Sequence, residues 1–123
     1  MLQSKACAAI SHGEGGNEVP DMKENRNEEL DALFDAFLMM EDREDCYSLF
    51  SDMFTDQEMV SFARRLRVAK LLLNGATYGM IQEQLPVSSA TITRINTVLQ
   101  YGEGGYRHIM EKLAKQCREA TDE

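Results

Sequence analysis

Short side chains that carry hydrogen-bonding or methyl groups are concentrated between residues 88 and 96, in a pattern that could read nucleic acid. The group consists of Ser88, Ser89, Ala90, Thr91, Thr93 and Asn96. Hydroxyl and amide groups form hydrogen bonds with base edges, and methyl groups contact thymine, so these residue types suit the major groove of DNA. Because none of them is bulky, nothing blocks a close approach, and the segment is predicted to contact bases.

Basic side chains form a second group. Arg64, Arg65, Arg67 and Lys70 fall within two helical turns, and Arg94 lies inside the polar segment. Guanidinium and ammonium groups bind phosphates, so four of these residues could face a nucleic-acid backbone, or two of them a ligand. The alternative is a solvated face, or pairing with the acidic residues that precede it.

The net charge of −8 is unevenly distributed. Residues 1–60 carry a net charge of −11, residues 61–100 carry +4, and residues 101–123 carry −1. A local basic surface can bind phosphates even on an acidic protein, because salt confines each field to about 8 to 10 Å. The charge pattern therefore permits DNA as a partner. It also leaves open a basic protein bound by the acidic N-terminal helices.

The sequence offers little for other chemistries. Cys7, Cys46 and Cys117 are far apart, and only His12 and His108 could supply imidazole, so neither a disulfide framework, a metal site nor a catalytic triad is predicted. No stretch approaches the roughly eighteen apolar residues of a membrane helix. We expect a cytoplasmic protein with reduced thiols, no membrane segment, no cofactor and no enzymatic activity.

The elements that must position these residues are all predicted to be helices. Apolar residues recur every three to four positions, and no strand alternation is present. The predicted helices lie within residues 27–40, 42–53, 55–75, 77–86, 90–99 and 106–118. The expected N-caps are Asp42, Thr55 (with Glu58 in a capping box), Thr77, and Ser88 or Ser89.

Residues 26–118 are predicted to form a single helical domain. The preceding residues 1–25 are rich in small and polar side chains, which indicates a disordered extension or a cloning remnant. Residues 119–123 are expected to be a charged tail.

Residues 75–99 have the organisation of a helix-turn-helix, with a short helix, a turn and a second helix. The polar segment lies at the start and on the exposed face of the second helix, where such proteins contact bases. Thr77 and Tyr78 open the first helix, whose N-terminus suits a phosphate. The alternative is an ordinary helical hairpin. The buried side of the second helix is predicted to consist of Ile92, Ile95, Val98 and Leu99.

The third predicted helix carries apolar residues on every side. Met59, Phe62 and Leu66 follow one face, whereas Val60 and Leu72 lie on others. A helix that is apolar all round must be buried all round, and so small a chain can hardly cover it. A second subunit is therefore predicted to pack against it.

Residues 54–106 resemble the Trp repressor superfamily, in particular its TrpR-like branch of the YerC/YecD type. The resemblance is carried by Ala63-Arg-Arg-Leu-Arg67, Leu71-Leu-Leu-Asn-Gly75 and, most specifically, Ala90-Thr-Ile-Thr-Arg94. A weaker match extends back to Leu30. The resemblance implies an intertwined all-α homodimer with two helix-turn-helix heads, which agrees with the expected burial of the third helix.

The resemblance also implies an effector cleft. In the tryptophan-binding members two arginines enclose the indole ring, and the matching residues here are Arg65 and Arg94. Ile95 stands where those members have glycine, and Val98 where they have serine. A small-molecule effector is therefore expected to differ from tryptophan, which would clash.

The DNA contacts implied by the resemblance are partly altered. Ala90 and Thr93 keep the family pattern, whereas Gly79 and Gln82 stand where the Trp repressor contacts DNA through basic residues. Gln82 is thus a candidate DNA contact, and a different operator is expected.

These observations predict a homodimeric, sequence-specific DNA-binding regulator of transcription that acts as a repressor on double-stranded DNA. The alternative is a dimeric protein-interaction module that uses its acidic N-terminal helices and no longer reads DNA. A third hypothesis keeps DNA binding and adds an effector in the arginine cleft.

Overall fold

A computed structural model describes residues 27–121 of the protein, and the predicted disorder of residues 1–25 lies outside the described residues. The described chain contains six helices and no strand, which confirms the all-α prediction. It forms two compact units, residues 27–53 and residues 54–121. The helices are α1 Glu28–Leu38, α2 Arg43–Met53, α3 Asp56–Leu73, α4 Tyr78–Gln84, α5 Ser89–Tyr101 and α6 Gly105–Thr121.

The first unit is a pair of helices with side-chain caps. The Asn27 side chain accepts a hydrogen bond from the backbone N–H of Leu30 at 2.9 Å, and that of Asp42 accepts one from Asp45 N–H at 2.9 Å, as predicted for α2. Between α1 and α2, the rings of Phe37 and Phe50 meet edge to face at 5.2 Å. An aromatic contact therefore joins the two helices.

Helix α3 begins and ends as its sequence predicts. Thr55 and Glu58 close a capping box, each side chain accepting the backbone N–H of the other residue at 3.1 and 2.8 Å. At the other end Gly75 adopts a φ of 90°, and Ala76 N–H donates to the carbonyl of Leu71 at 3.0 Å. This left-handed glycine with a backward hydrogen bond is a Schellman motif, which satisfies carbonyls that the helix end would otherwise leave open.

The core of the second unit is built where α3, α4 and α5 meet. Its members are almost fully shielded from solvent: Val68, Ala69, Ile81, Ile92, Ile95 and Leu99. Burial of a valine, leucine or isoleucine side chain contributes about 1.5 to 3 kcal/mol, so this small cluster supplies much of the unit's stability. The residues around it that pack against it include Val87 of the turn and Tyr106 of α6.

Val98 departs from the prediction, because it is 44% exposed and does not belong to the core. The buried line of α5 runs through Ile92, Ile95 and Leu99, and Val98 lies on the adjoining flank, four residues after Arg94.

The C-terminal helix packs against α3. It continues to Thr121 rather than ending near Arg118, so the beginning of the expected tail is helical. Across residues 27–121 no helix is both long enough and apolar enough to span a membrane.

Much of the apolar surface of α3 remains open to solvent in the single chain. Val60, Phe62 and Leu66 are between 40% and 52% exposed. Exposed apolar side chains are also present at Val98 on α5 and at Ile109 and Leu113 on α6. The predicted burial of α3 on all sides is therefore not met within a single chain.

Candidate nucleic-acid interface

Helices α4 and α5 are joined by a tight turn at residues 85–88. Helix α4 is anchored by the fully buried Ile81, and α5 by Ile92 and Ile95 on its inner side. The Leu85 backbone leaves the helical conformation, as expected for the residue before a proline, and Val87 N–H donates to the Leu85 carbonyl at 2.9 Å. Both helices are therefore anchored to the same core, and the outer side of α5 is exposed.

The two residues expected to bind phosphate at the start of α4 have structural roles. The Thr77 hydroxyl accepts the N–H of Met80 at 3.2 Å and so caps the helix. Tyr78 is half-buried and packs against the core. The groups at the start of α4 that are best suited to bind a phosphate are therefore its backbone N–H groups.

Gln82 is held by the turn. Its side-chain amide nitrogen Nε2 donates to the backbone carbonyl of Val87 at 3.3 Å. From the sequence, Gln82 is predicted only as a candidate DNA contact. No local pattern predicts this hydrogen bond, since it spans five residues and depends on how the turn folds.

Ser88 and Thr91 are also engaged within the protein. Ser88 Oγ accepts the backbone N–H of Thr91 at 3.2 Å and donates to Thr91 Oγ1 at 3.1 Å. Ser88 is thus the N-cap of α5, one of the two caps that the sequence predicts.

The remaining members of the polar segment face outward from the start of α5. Ser89, Ala90 and Thr93 are exposed, and Asn96 is half-buried. Ser89, Thr93 and Asn96 follow one another at intervals of four and three residues, so they lie in one row along the helix. This row, with Ala90 beside it, presents hydroxyl, amide and methyl groups to a partner.

Next to the turn lies a cavity of about 600 Å³, which we call the arginine cavity. Arg65 of α3 and Arg94 of α5 both line it, so the fold brings together two residues that the resemblance pairs. Arg64 lines it as well and is half-buried, although sequence reasoning did not assign it there. The other lining residues are Asp56, Gln57, Val60, Ser61, Pro86, Val87, Ser88 and Thr91.

Ile95 and Val98 do not line this cavity. Ile95 is 4% exposed because it points from the inner side of α5 into the core, and Val98 lies farther along the helix. Because neither residue lines the cavity of the single chain, the expectation that these two side chains border an effector stays a prediction.

Arg65 is oriented by aromatic residues. Its guanidinium carbon lies 5.5 Å from the centre of the Phe62 ring, and that ring meets Phe54 edge to face at 5.4 Å. Arg67 and Lys70 do not line the cavity and are exposed on α3, where they remain available to a phosphate backbone.

The described residues show no donor set for a metal. Within residues 27–121 no three His, Cys, Asp or Glu side chains are grouped to hold an ion.

An all-helical unit with a capped short helix, a fixed turn and a second helix whose outer row is short and polar defines a helix-turn-helix protein. Comparison with known proteins specifies the family. Residues 28–114 match the family model described as Trp repressor protein. The chain is 38% identical to the uncharacterised protein YerC of Bacillus subtilis (strain 168), over 78% of its own length and 92% of the relative's.

Two crystal structures agree with this assignment. A proposed Trp repressor from Staphylococcus aureus is 38% identical with a TM-score of 0.73, and the match covers 78% of this chain and 96% of the other. A TrpR-like protein from Eubacterium eligens ATCC 27750 is 37% identical with a TM-score of 0.70, covering 72% and 92%. The chain therefore belongs to the Trp repressor family, a family of helix-turn-helix DNA-binding regulators.

Proposed function

We propose that this protein is a transcriptional repressor that binds a specific DNA sequence as a homodimer. The observation that supports this function best is the exposed row of Ser89, Thr93 and Asn96, with Ala90 beside it, on the second helix of a helix-turn-helix. Each well-placed contact from such a row to a base edge contributes about 1 to 3 kcal/mol of discrimination against the wrong base.

Phosphate contacts complete the proposed interface. The start of α4 offers backbone N–H groups, and Arg67 and Lys70 are exposed on α3. Residues 61–100, which contain all of these groups, carry a net charge of +4 in a protein of net charge −8. The acidic remainder lowers the affinity for DNA of arbitrary sequence, because its repulsion of the phosphates does not depend on the bases.

The homodimer is supported by the exposed apolar residues of α3. Val60, Phe62 and Leu66 would be covered by a second copy of the chain, and the dimer would hold two α5 helices on one side of a duplex. Paired heads of this kind read two half-sites about 34 to 36 Å apart, one helical turn of DNA. A regulator of this kind would act in the cytoplasm.

The direct test is selection of binding sequences by the full-length chain from a randomised duplex library in about 0.1 M salt, where nonspecific attraction is partly screened. Enrichment of a palindrome supports the proposal and supplies the operator. A folded, dimeric protein that enriches nothing contradicts it and favours a protein-interaction role for the acidic N-terminal residues. Affinity for the selected duplex should then fall with salt, with a logarithmic slope of about −0.9 for each phosphate neutralised.

A second function, effector binding, is favoured by the arginine cavity. Arg64, Arg65 and Arg94 against the single carboxylate of Asp56 give its lining an excess of positive charge, which suits a small organic anion. Because Ser88 and Thr91 also line the cavity, an occupant would touch the start of α5. A thermal-shift series with tryptophan and with carboxylate and phosphate compounds tests this function, and absence of any stabilisation contradicts it.

A further inference from the structure

The turn of the helix-turn-helix contains a side-chain hydrogen bond that no local sequence pattern predicts. Gln82 is exposed on α4, yet its Nε2 donates to the carbonyl of Val87 at 3.3 Å. That carbonyl belongs to the residue directly before Ser88, the N-cap of α5. The bond therefore links the body of the first helix to the point at which the second helix begins.

Both ends of this bond are fixed to the rest of the molecule. Gln82 follows Ile81, which is fully buried and fixes the rotation of α4 on the core. Val87 is half-buried, packs against the same core and donates its own N–H to Leu85 at 2.9 Å. A bond between two anchored groups limits how far the turn can open, whereas a bond to a mobile group would not.

We propose that Gln82 is a positioning residue, which sets the orientation of α5 relative to α4 and does not itself contact DNA. The inference rests on the proposed function, since α5 matters as the reading helix, but the orientation is a property of the free protein. Val87 and Ser88 also line the arginine cavity, so the turn that Gln82 holds is the turn that an occupant of the cavity would touch.

The test compares Gln82→Leu with Gln84→Leu in the full-length protein. Leucine keeps a similar volume but cannot donate a hydrogen bond, and neither change alters the net charge. Gln84 is the matched control because it is exposed on the same helix, two residues further on. Thermal unfolding of both variants establishes that each one folds.

The first readout is made without DNA. In Gln82→Leu the Val87 carbonyl carbon should shift upfield in the NMR spectrum, and residual dipolar couplings should report a changed angle between α4 and α5, with Gln84→Leu like the parent protein. An unchanged Val87 resonance, or unchanged couplings, overturns the proposal whether or not the protein binds DNA.

The second readout uses the selected duplex. Gln82→Leu should lower affinity about tenfold, which corresponds to about 1.4 kcal/mol. The ratio of the parent's affinity to that of Gln82→Leu should be similar for duplexes that carry a base-pair change at any one position. The salt dependence of binding should be unchanged, because a tilted helix weakens all of its DNA contacts together. A loss confined to one base pair, or a salt slope reduced by one phosphate, would make Gln82 a DNA contact and overturn the proposal. If no duplex is selected at all, the proposed function fails. The residual dipolar couplings of the free protein still decide whether Gln82 sets the angle between α4 and α5.

Discussion

Ser88 and Thr91 are hydrogen-bonded to each other twice, through Thr91 N–H to Ser88 Oγ at 3.2 Å and through Ser88 Oγ to Thr91 Oγ1 at 3.1 Å. Both side chains also line the arginine cavity. Two residues that the sequence marks as base contacts are thus occupied in starting the helix, and the proposed base contacts fall to the outward row that begins at Ser89.

Replacing Ser88 with alanine should destabilise the protein by about 1 kcal/mol, because the N–H of Thr91 loses its acceptor at the start of α5. Urea unfolding measures this cost. Ser89→Ala is the matched control, since it removes the same hydroxyl one residue later, on the exposed side of the helix. The control should leave stability within about 0.5 kcal/mol of the parent and should reduce operator affinity instead. Equal destabilisation by both changes would contradict the assignment of Ser88 as the cap.

Thr93→Arg should abolish or redirect sequence recognition, because a long charged side chain would replace a short one in the middle of the proposed base-contacting row Ser89, Thr93 and Asn96. We expect operator affinity to fall by at least about tenfold, or about 1.4 kcal/mol, in a fluorescence-anisotropy titration. Gln100→Arg adds the same charge near the C-terminal end of α5 and controls for general attraction to DNA. Operator affinity within twofold of the parent protein would remove α5 from the role of reading helix.

Leu66→Glu should separate the proposed dimer into monomers, because it places a charge in the apolar surface of α3 that a second subunit would cover. Sedimentation should then report a mass near 13.9 kDa. Met80→Glu is the control, since Met80 is an apolar residue of similar exposure, 49% against 41%, that lies on α4. If the Leu66 variant keeps the parent's dimeric mass, or if both variants dissociate, this face of α3 is not the dimer interface.

Arg64→Ala should weaken the binding of small anions in the arginine cavity, because it removes one of the three positive charges in the lining. Citrate is a suitable probe, and at ten times its Kd it should stabilise the parent protein by about 1.4 kcal/mol, which is a rise of several degrees in Tm. Arg67→Ala is the control, since Arg67 lies on α3 outside the cavity. Equal loss in both variants would indicate general charge attraction.

The local parts of this structure could be predicted from the sequence. The caps at Thr55, Thr77 and Ser88 depend on residues three positions apart, so their patterns are visible without knowledge of the fold. The inner side of α5 follows from helical periodicity for Ile92, Ile95 and Leu99, and the periodicity was misleading only for Val98, which lies at the edge of the apolar arc.

The parts that depend on packing between distant residues could not be predicted in this way. Arg64 lines the arginine cavity because of the angle at which α3 meets the turn and α5, and the alignment of Arg65 over Phe62 depends on side-chain packing. The resemblance to a known family pairs Arg65 with Arg94, and both line the arginine cavity, whereas Ile95 lies in the core, as helical periodicity predicts.

Helix α5 ends at Tyr101 and is followed by the C-cap residue Gly102, whose N–H donates to the carbonyl of Val98 at 2.8 Å. A Cβ atom at that position would lie 2.5 Å from the same carbonyl oxygen, closer than real Cβ contacts come, and 3.0 Å from the Val98 side chain, which is a tight contact. Any other amino acid at this position would force the backbone to shift. The backbone that leads from α5 toward α6 can therefore keep this path only with an amino acid that contributes no side chain at all.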